Sequence, residues 1–321
     1  MSPFIIALLV CCTVIVLMFL LCVRFAYRTA FYSNRKKTRD PYRTLESVKG
    51  FEAARESCRK KVDRLYSFPS EKIEIRSRDG LKLSARFYKG KDGAPYHLMF
   101  HGYKSTPFLD FLAGGVEFID KGHNVILVDQ RAHGDSEGKT IGFGVLESYD
   151  ALDWIKYTTE RFGGEIEILL FGVSMGAATV LSALDFPLHP SVKGVIADSP
   201  FSAPIDIMKS VAKKMHVPSA VATPLLRTAA FVFGGFRLGK RSAREAVKNA
   251  EVPILLIHGD DDAFVPRYMS DEIYKSAKLA GRDIRYLVFP GADHVMSYLT
   301  DEERYIREVN IFLKYALKKQ L

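Results

Sequence analysis

Cysteine is scarce in this chain. Of 321 residues four are cysteine, and Cys11, Cys12 and Cys22 sit inside one apolar run, which leaves Cys58 without an evident partner. A disulfide scaffold is excluded. Metal-binding patterns are missing too. There is no H-E-x-x-H and no paired C-x-x-C, so no protein-bound metal is expected, and His97, His123 and His216 read as packed or exposed side chains. Gly138-Lys139-Thr140 looks like the end of a phosphate-binding loop, but that motif needs glycine where His133 stands. Biased composition is also absent: 48% hydrophobic, 26% charged, 23 Gly and 14 Pro lie near globular averages and exclude a collagenous or disordered chain. Finally, most of the chain lacks net charge. The total is +9, yet residues 24–64 hold 13 Lys/Arg against 5 Asp/Glu, leaving 33 against 32 in residues 65–321. The body therefore offers no broad basic surface, and nucleic acid is not an expected partner. No internal repeat is visible.

What the sequence does contain begins at the N-terminus. Pro3 to Val23 is a run of 21 residues without a charge. At ~1.5 Å rise per residue it spans ~31 Å, the thickness of a bilayer core. A cleaved signal peptide wants positive charge before the run and a small-x-small site after it; only Met1 and Ser2 precede it, and it ends Val23-Arg24-Phe25. The run is expected to stay as a transmembrane anchor (1–23). Arg24, Arg28, Arg35, Lys36, Lys37 and Arg39 follow with no acid before Asp40, which places the downstream domain on the cytoplasmic side and puts a basic flank beside the lipid headgroups. Residues 24–69 read as a basic juxtamembrane stalk, helical over 41–66, with Leu45, Val48, Phe51 and Val62 as sparse apolar contacts.

From residue 70 the pattern changes. Residues 72–76 and 81–87 alternate in period two around Asp79-Gly80, a hairpin signature. Six short apolar runs then alternate with helical stretches: 97–100, 125–128, 166–171, 192–197, 254–257 and 286–289. Continuous apolar strands separated by helices predict a mostly parallel α/β sheet covered on both faces. Nearly every run ends in a Gly, Asp or His cluster, and in open α/β sheets the site lies at those carboxyl ends.

The strongest motif is Gly172-Val173-Ser174-Met175-Gly176, directly after a strand and before a helical stretch. A strand–turn–helix elbow of this kind holds a nucleophilic serine on strained backbone, with a helix N-terminus beneath it to stabilise negative charge. A serine hydroxyl needs a base held by an acid. Downstream, 254–257 runs into His258-Gly259-Asp260-Asp261-Asp262, and 286–289 into Pro290-Gly291-Ala292-Asp293-His294.

The order Ser, Asp, His on this strand pattern resembles the α/β-hydrolase fold, over roughly residues 70–318, and in particular serine aminopeptidase-like and prolyl-oligopeptidase-like hydrolases and membrane-anchored bacterial members. The resemblance implies Ser174 as nucleophile, His294 as general base and Asp262 as acid, the last because the family's acid stands three residues before Val265-Pro266. Asp260 and Asp261 share the same turn, and Asp198 is a rival acid after the sixth strand. It implies an oxyanion hole from the backbone N–H groups of Met175 and of Tyr103, in His101-Gly102-Tyr103, and no cofactor. His101, and His133 in the loop Asp129 to Ser136, read as loop-bracing residues. Residues 201–250 exceed a simple crossover and are expected to build a small helical cap. The expected activity is hydrolysis of a small-molecule acyl substrate, a carboxylic ester before a peptide or thioester. A non-catalytic tethered binding protein on the same fold is the alternative.

Overall fold

In the computed structural model, residues 2–34, 40–47, 54–112 and 114–318 are described. Arg35, Lys36, Lys37 and Arg39 of the basic flank, and Val48 and Phe51, lie outside them. Helix α1 spans Pro3–Ala30 and is long and apolar enough to cross a membrane. Its N-terminus is capped by Ser2 with proline in the first turn, a pre-set helix start. Two short helices follow, α2 (Pro41–Ser47) and α3 (Arg55–Ser67).

The expected stalk differs from what is observed. The helix continues past Val23 to Ala30, and Val23, Ala26 and Phe31 are buried against the body. In α3, Cys58, Val62 and Leu65 recur at helical spacing and are buried; Cys58 and Val62 pack with Leu45, Leu109 and Leu112. Leu45 and Val62, two of the contacts read as sparse, are thus part of a packed cluster, and on α3 the spacing of Cys58, Val62 and Leu65 puts them on one face.

The body follows the period-two and apolar-run pattern. In chain order come β1 (Glu71–Arg76), β2 (Lys82–Tyr88), β3 (Tyr96–Phe100), α4 (Pro107–Asp110), α5 (Gly114–Asp120), β4 (Asn124–Asp129), α6 (Glu147–Phe162), β5 (Ile168–Val173), α7 (Met175–Ala183) and β6 (Val192–Asp198). Then follow α8 (Pro204–Lys214), α9 (Ser219–Val232), α10 (Ala243–Ala246), β7 (Ile254–Gly259), α11 (Tyr268–Leu279), β8 (Ile284–Phe289), α12 (Ser297–Thr300) and α13 (Glu302–Lys318). The eight strands form one sheet in the order β1-β2-β4-β3-β5-β6-β7-β8. Only β2 pairs antiparallel, with β1 and β4; every other pairing is parallel.

Each strand sends alternate residues to opposite faces. Leu98, Phe100, Ile126, Val128 and Leu170 meet Trp154 of α6, Val180 of α7 and Ile273 of α11 on one face. Met99, Leu127, Leu169, Phe171 and Ile196 meet Phe118 of α5 and Phe312 of α13 on the other. Between β6 and β7, where the cap is expected, α8 and α9 pack in a third apolar cluster with Met175, Val265 and Met269. The C-terminal part of the expected 201–250 insertion returns to the sheet: Ala243, Ala246, Val247 and Ala250 are in the main core.

Candidate active site

The elbow between β5 and α7 sets the position of Ser174. Its backbone lies at φ 53°, ψ −113°, a left-handed conformation costly for a residue with a Cβ. Its N–H donates to Asp198 O at 2.8 Å. The two glycines are required by space. A Cβ on Gly176 would lie 1.7 Å from Phe100 O, and one on Gly172 2.2 Å from Gly176 O. Strand and helix can approach this closely only because neither carries a side chain.

Two loops at the ends of β7 and β8 bring the other groups in. Asp262 Oδ1 accepts the N–H groups of Phe264 (2.9 Å) and Val265 (2.7 Å), an Asx turn that aims its second oxygen outward from the loop. Asp260 Oδ1 accepts Gly291 N–H at 2.6 Å, and Asp293 Oδ1 accepts Ala263 N–H at 2.9 Å, stitching the two loops together. On that frame His294 Nδ1 lies 2.7 Å from Asp262 Oδ2, and His294 Nε2 lies 2.9 Å from Ser174 Oγ. Burial pushes the Asp262 carboxyl up, but hydrogen bonds from His258 and His294 outweigh it and hold it well below the ordinary range. An ionised Asp262 only accepts, so Nδ1 carries the proton and Nε2 is left to accept from the serine hydroxyl.

The structure thus brings Ser174, Asp262 and His294 into one hydrogen-bonded line. Asp198 is left out of it. Its carboxylate accepts from Tyr305 Oη (2.8 Å) and Ser199 Oγ (2.9 Å), and burial raises its pKa.

The turn after β3 abuts the serine: a Cβ on Gly102 would stand 3.3 Å from Ser174 Cβ. Its conformation is held from three sides. Gly102 N–H donates to Asp110 Oδ2 and Ser105 Oγ to Asp110 Oδ1, each at 2.5 Å. Lys104 N–H donates to His133 Nε2 at 2.9 Å, and His133 Nδ1 donates to Arg131 O at 2.9 Å. Arg131 is in turn clamped by Asp150 through two 2.6 Å bonds. His101 donates from Nδ1 to Gly102 O at 2.8 Å. Burial lowers the pKa of both histidines, to about 4 for His133, so each is neutral and acts as a brace. Tyr103 lies between these tethered residues, and its hydroxyl donates to Ala30 O of α1 at 2.9 Å.

Two residues here carry roles that the sequence does not signal. His258 is fully buried at the end of β7; Ser270 Oγ donates to its Nδ1 (2.6 Å), and its Nε2 donates to Val265 O (2.8 Å) with Asp262 Oδ2 at 3.1 Å. Nothing in an apolar strand ending in histidine points to that contact, which arises only once the Asx turn folds back. Asp110 sits eight residues past the turn it braces; burial raises its pKa to about 6.

An eight-stranded, mostly parallel sheet with a serine elbow defines the class of protein. The profile described as Alpha/beta hydrolase family matches residues 98–308, and the chain belongs to that family. Among relatives, it is 30% identical over 200 residues to YqkD, an uncharacterized protein of Bacillus subtilis, a match covering 61% of this chain and 64% of that one, less than two thirds of its length. Among solved structures, an esterase of Pyrococcus furiosus superposes with a TM-score of 0.64 at 25% identity, covering 78% of this chain and 93% of the esterase. An acylaminoacyl peptidase of Pyrococcus horikoshii superposes at 0.57 and 17% identity, covering 78% and 42%, a likeness of fold.

Proposed function

We propose that this chain is a membrane-anchored serine hydrolase that cleaves an acyl bond, a carboxylic ester in the first place. The observation that carries the reading is the line from Ser174 Oγ through His294 to Asp262, at 2.9 and 2.7 Å. In the first step Ser174 Oγ attacks the acyl carbonyl carbon while its proton passes to His294 Nε2. Asp262, kept ionised, holds the ring tautomer and stabilises the imidazolium. The developing oxyanion accepts N–H groups from Met175 and Tyr103. Met175 is the first residue of α7, so its N–H has no partner within the helix, and Tyr103 lies between two residues whose N–H groups are already committed. As the intermediate collapses, the leaving alkoxide takes the proton from His294. Water then repeats the sequence on the acyl-enzyme and releases the acid.

The ester preference is supported by the esterase likeness, closer in sequence than that to the peptidase. The anchor reading is supported by α1, whose residues 3–22 are all exposed. Arg24 and Arg28 just beyond it support a cytoplasmic catalytic domain. Hydrolysis of nitrophenyl esters by the full chain tests the activity: Ser174→Ala is expected to lower kcat by roughly 10⁵-fold or more, the scale of deleting a triad nucleophile. Folded wild type without ester hydrolysis, or a Ser174→Ala variant as active as wild type, would contradict it and favour a tethered binding protein.

A further inference from the structure

The end of α1 does not simply leave the bilayer. Val23, Ala26, Tyr27 and Ala30, at i, i+3, i+4 and i+7, share one face of its last two turns and join a cluster with Ala229 and Ala230 of the cap helix α9. The Tyr27 ring lies 5.8 Å from Phe233, just past the end of α9, and Phe31 lies 5.6 Å from Phe236. From there rings continue to the catalytic turn: Phe31 to Phe143 at 5.8 Å, and Phe143 to Tyr103 at 5.0 Å. The membrane helix, the cap and the turn beside Ser174 share one apolar cluster, which also holds Met175.

The outer side of that junction is apolar where water would favour polar groups. Helix α9 carries one charged residue in 14, Arg227. Phe231 and Val232 in its last turn are 61% and 52% exposed, and Phe25 on α1 is 72% exposed. Tyr27, which Phe233 touches, is four residues past the end of the apolar run, or ~6 Å along the helix axis. The headgroup layer on each side of a bilayer is ~5–7 Å thick. A helix crossing at α1 therefore sets the last turn of α9 at headgroup depth. The charge of the cap suits that position: residues 201–240 hold six Lys/Arg and one acid, Asp206. Exposed Lys209 and Lys213 also line an open groove with His216 and Tyr268, next to the loop that carries Asp262.

We infer that the cap rests in the headgroup layer of the leaflet it faces, with Phe231 and Val232 inserted, and that the site takes an acyl ester resident in that leaflet. The apolar part of the leaflet covers the exposed rings and the anionic headgroups meet the lysines, as at an interfacial amphipathic helix. The substrate half of this inference rests on the hydrolase reading above, and the membrane half on the anchor reading alone.

The experiment uses the full chain in vesicles of phosphatidylcholine and phosphatidylglycerol carrying chain-brominated lipid. The chain has one tryptophan, Trp154, fully buried in the body. Phe231→Trp adds a second at the cap, with Val232→Trp as its alternate and Ile311→Trp, on α13, as the distant control. Bromine is expected to quench the added indole of Phe231→Trp at least two-fold more than that of Ile311→Trp. Equal quenching in the two variants would overturn the cap's insertion. A Phe231→Ser/Val232→Ser double variant is expected to lower its rate on 1-oleoylglycerol in vesicles at least ten-fold relative to its rate on soluble nitrophenyl butyrate. An unchanged ratio would overturn the leaflet substrate. Quenching needs no catalysis, so wild type inert on both esters would count against the hydrolase reading alone.

Discussion

The elbow around Ser174 and the junction of α1 with the cap are held together by opposite means. At the elbow, position is set by backbone: a serine at φ 53°, two glycines with no room for a Cβ, and loops tied by carboxylate-to-N–H bonds. At the junction, α1 meets the cap through side-chain rings and alanines packing in an apolar cluster. Backbone constraints permit only one or two residue types per position. Apolar packing accepts many sequences of similar volume. On the reading proposed above, the first kind of region carries the chemistry, which tolerates no slack, and the second the attachment, which tolerates variation.

This contrast is testable by substitution. After Ser174→Ala, Asp262→Asn should have the largest effect, lowering kcat about 10⁴-fold while the fold persists, because an amide no longer enforces the tautomer in which Nε2 accepts; a loss below ten-fold in ester kinetics would show that the line is not functional. Gly176→Ala should come next, with no folded protein or a loss of at least ~4 kcal/mol in denaturant unfolding, since its Cβ would overlap Phe100 O at 1.7 Å. At the junction, Phe31→Ala should cost about 3 kcal/mol for a fully buried ring, without removing the activity of the folded protein. The smallest effect belongs to Tyr103→Phe, about 1 kcal/mol, for the hydroxyl that donates to Ala30 O and, at longer range, Thr29 O. If Phe31→Ala abolished activity in folded protein while Gly176→Ala folded normally, the division between the two regions would fail.

Acid should separate Asp262 from its amide variant in stability as well. Its folded pKa is lowered, so its contribution is present above the ordinary carboxylate value of ~3.9 and is lost as pH falls below it. The stability gap between wild type and Asp262→Asn should be widest near neutrality and shrink on acidification, read from urea midpoints across pH. A gap that widened toward acid would mean the carboxyl is protonated in the native state.

The same contrast explains what is readable in the sequence. Six apolar runs, the hairpin around Asp79-Gly80 and the elbow glycines all leave a local mark, because each constraint acts within a few residues. Among four aspartates only resemblance singles out the acid, and Asp262 is the one whose carboxylate lies 2.7 Å from His294. His258 and Asp110 leave no mark, since their partners come from turns that exist only in the folded loops. The docking of α1 is hidden for another reason. Arg24 and Arg28 end the apolar run, yet Val23, Ala26, Tyr27 and Ala30 continue it on one face, a period visible only when the charged positions are set aside. The interleaved charges stay outside while that face packs on α9.

The central claim is that Ser174 is a nucleophile activated by His294. The most direct measurement is labelling of the full chain with a fluorophosphonate, followed by mass spectrometry of the modified peptide. The account predicts a single phosphonylated residue, Ser174, and no labelling of His294→Ala. Folded wild type left unlabelled, or labelled at another serine, would contradict it.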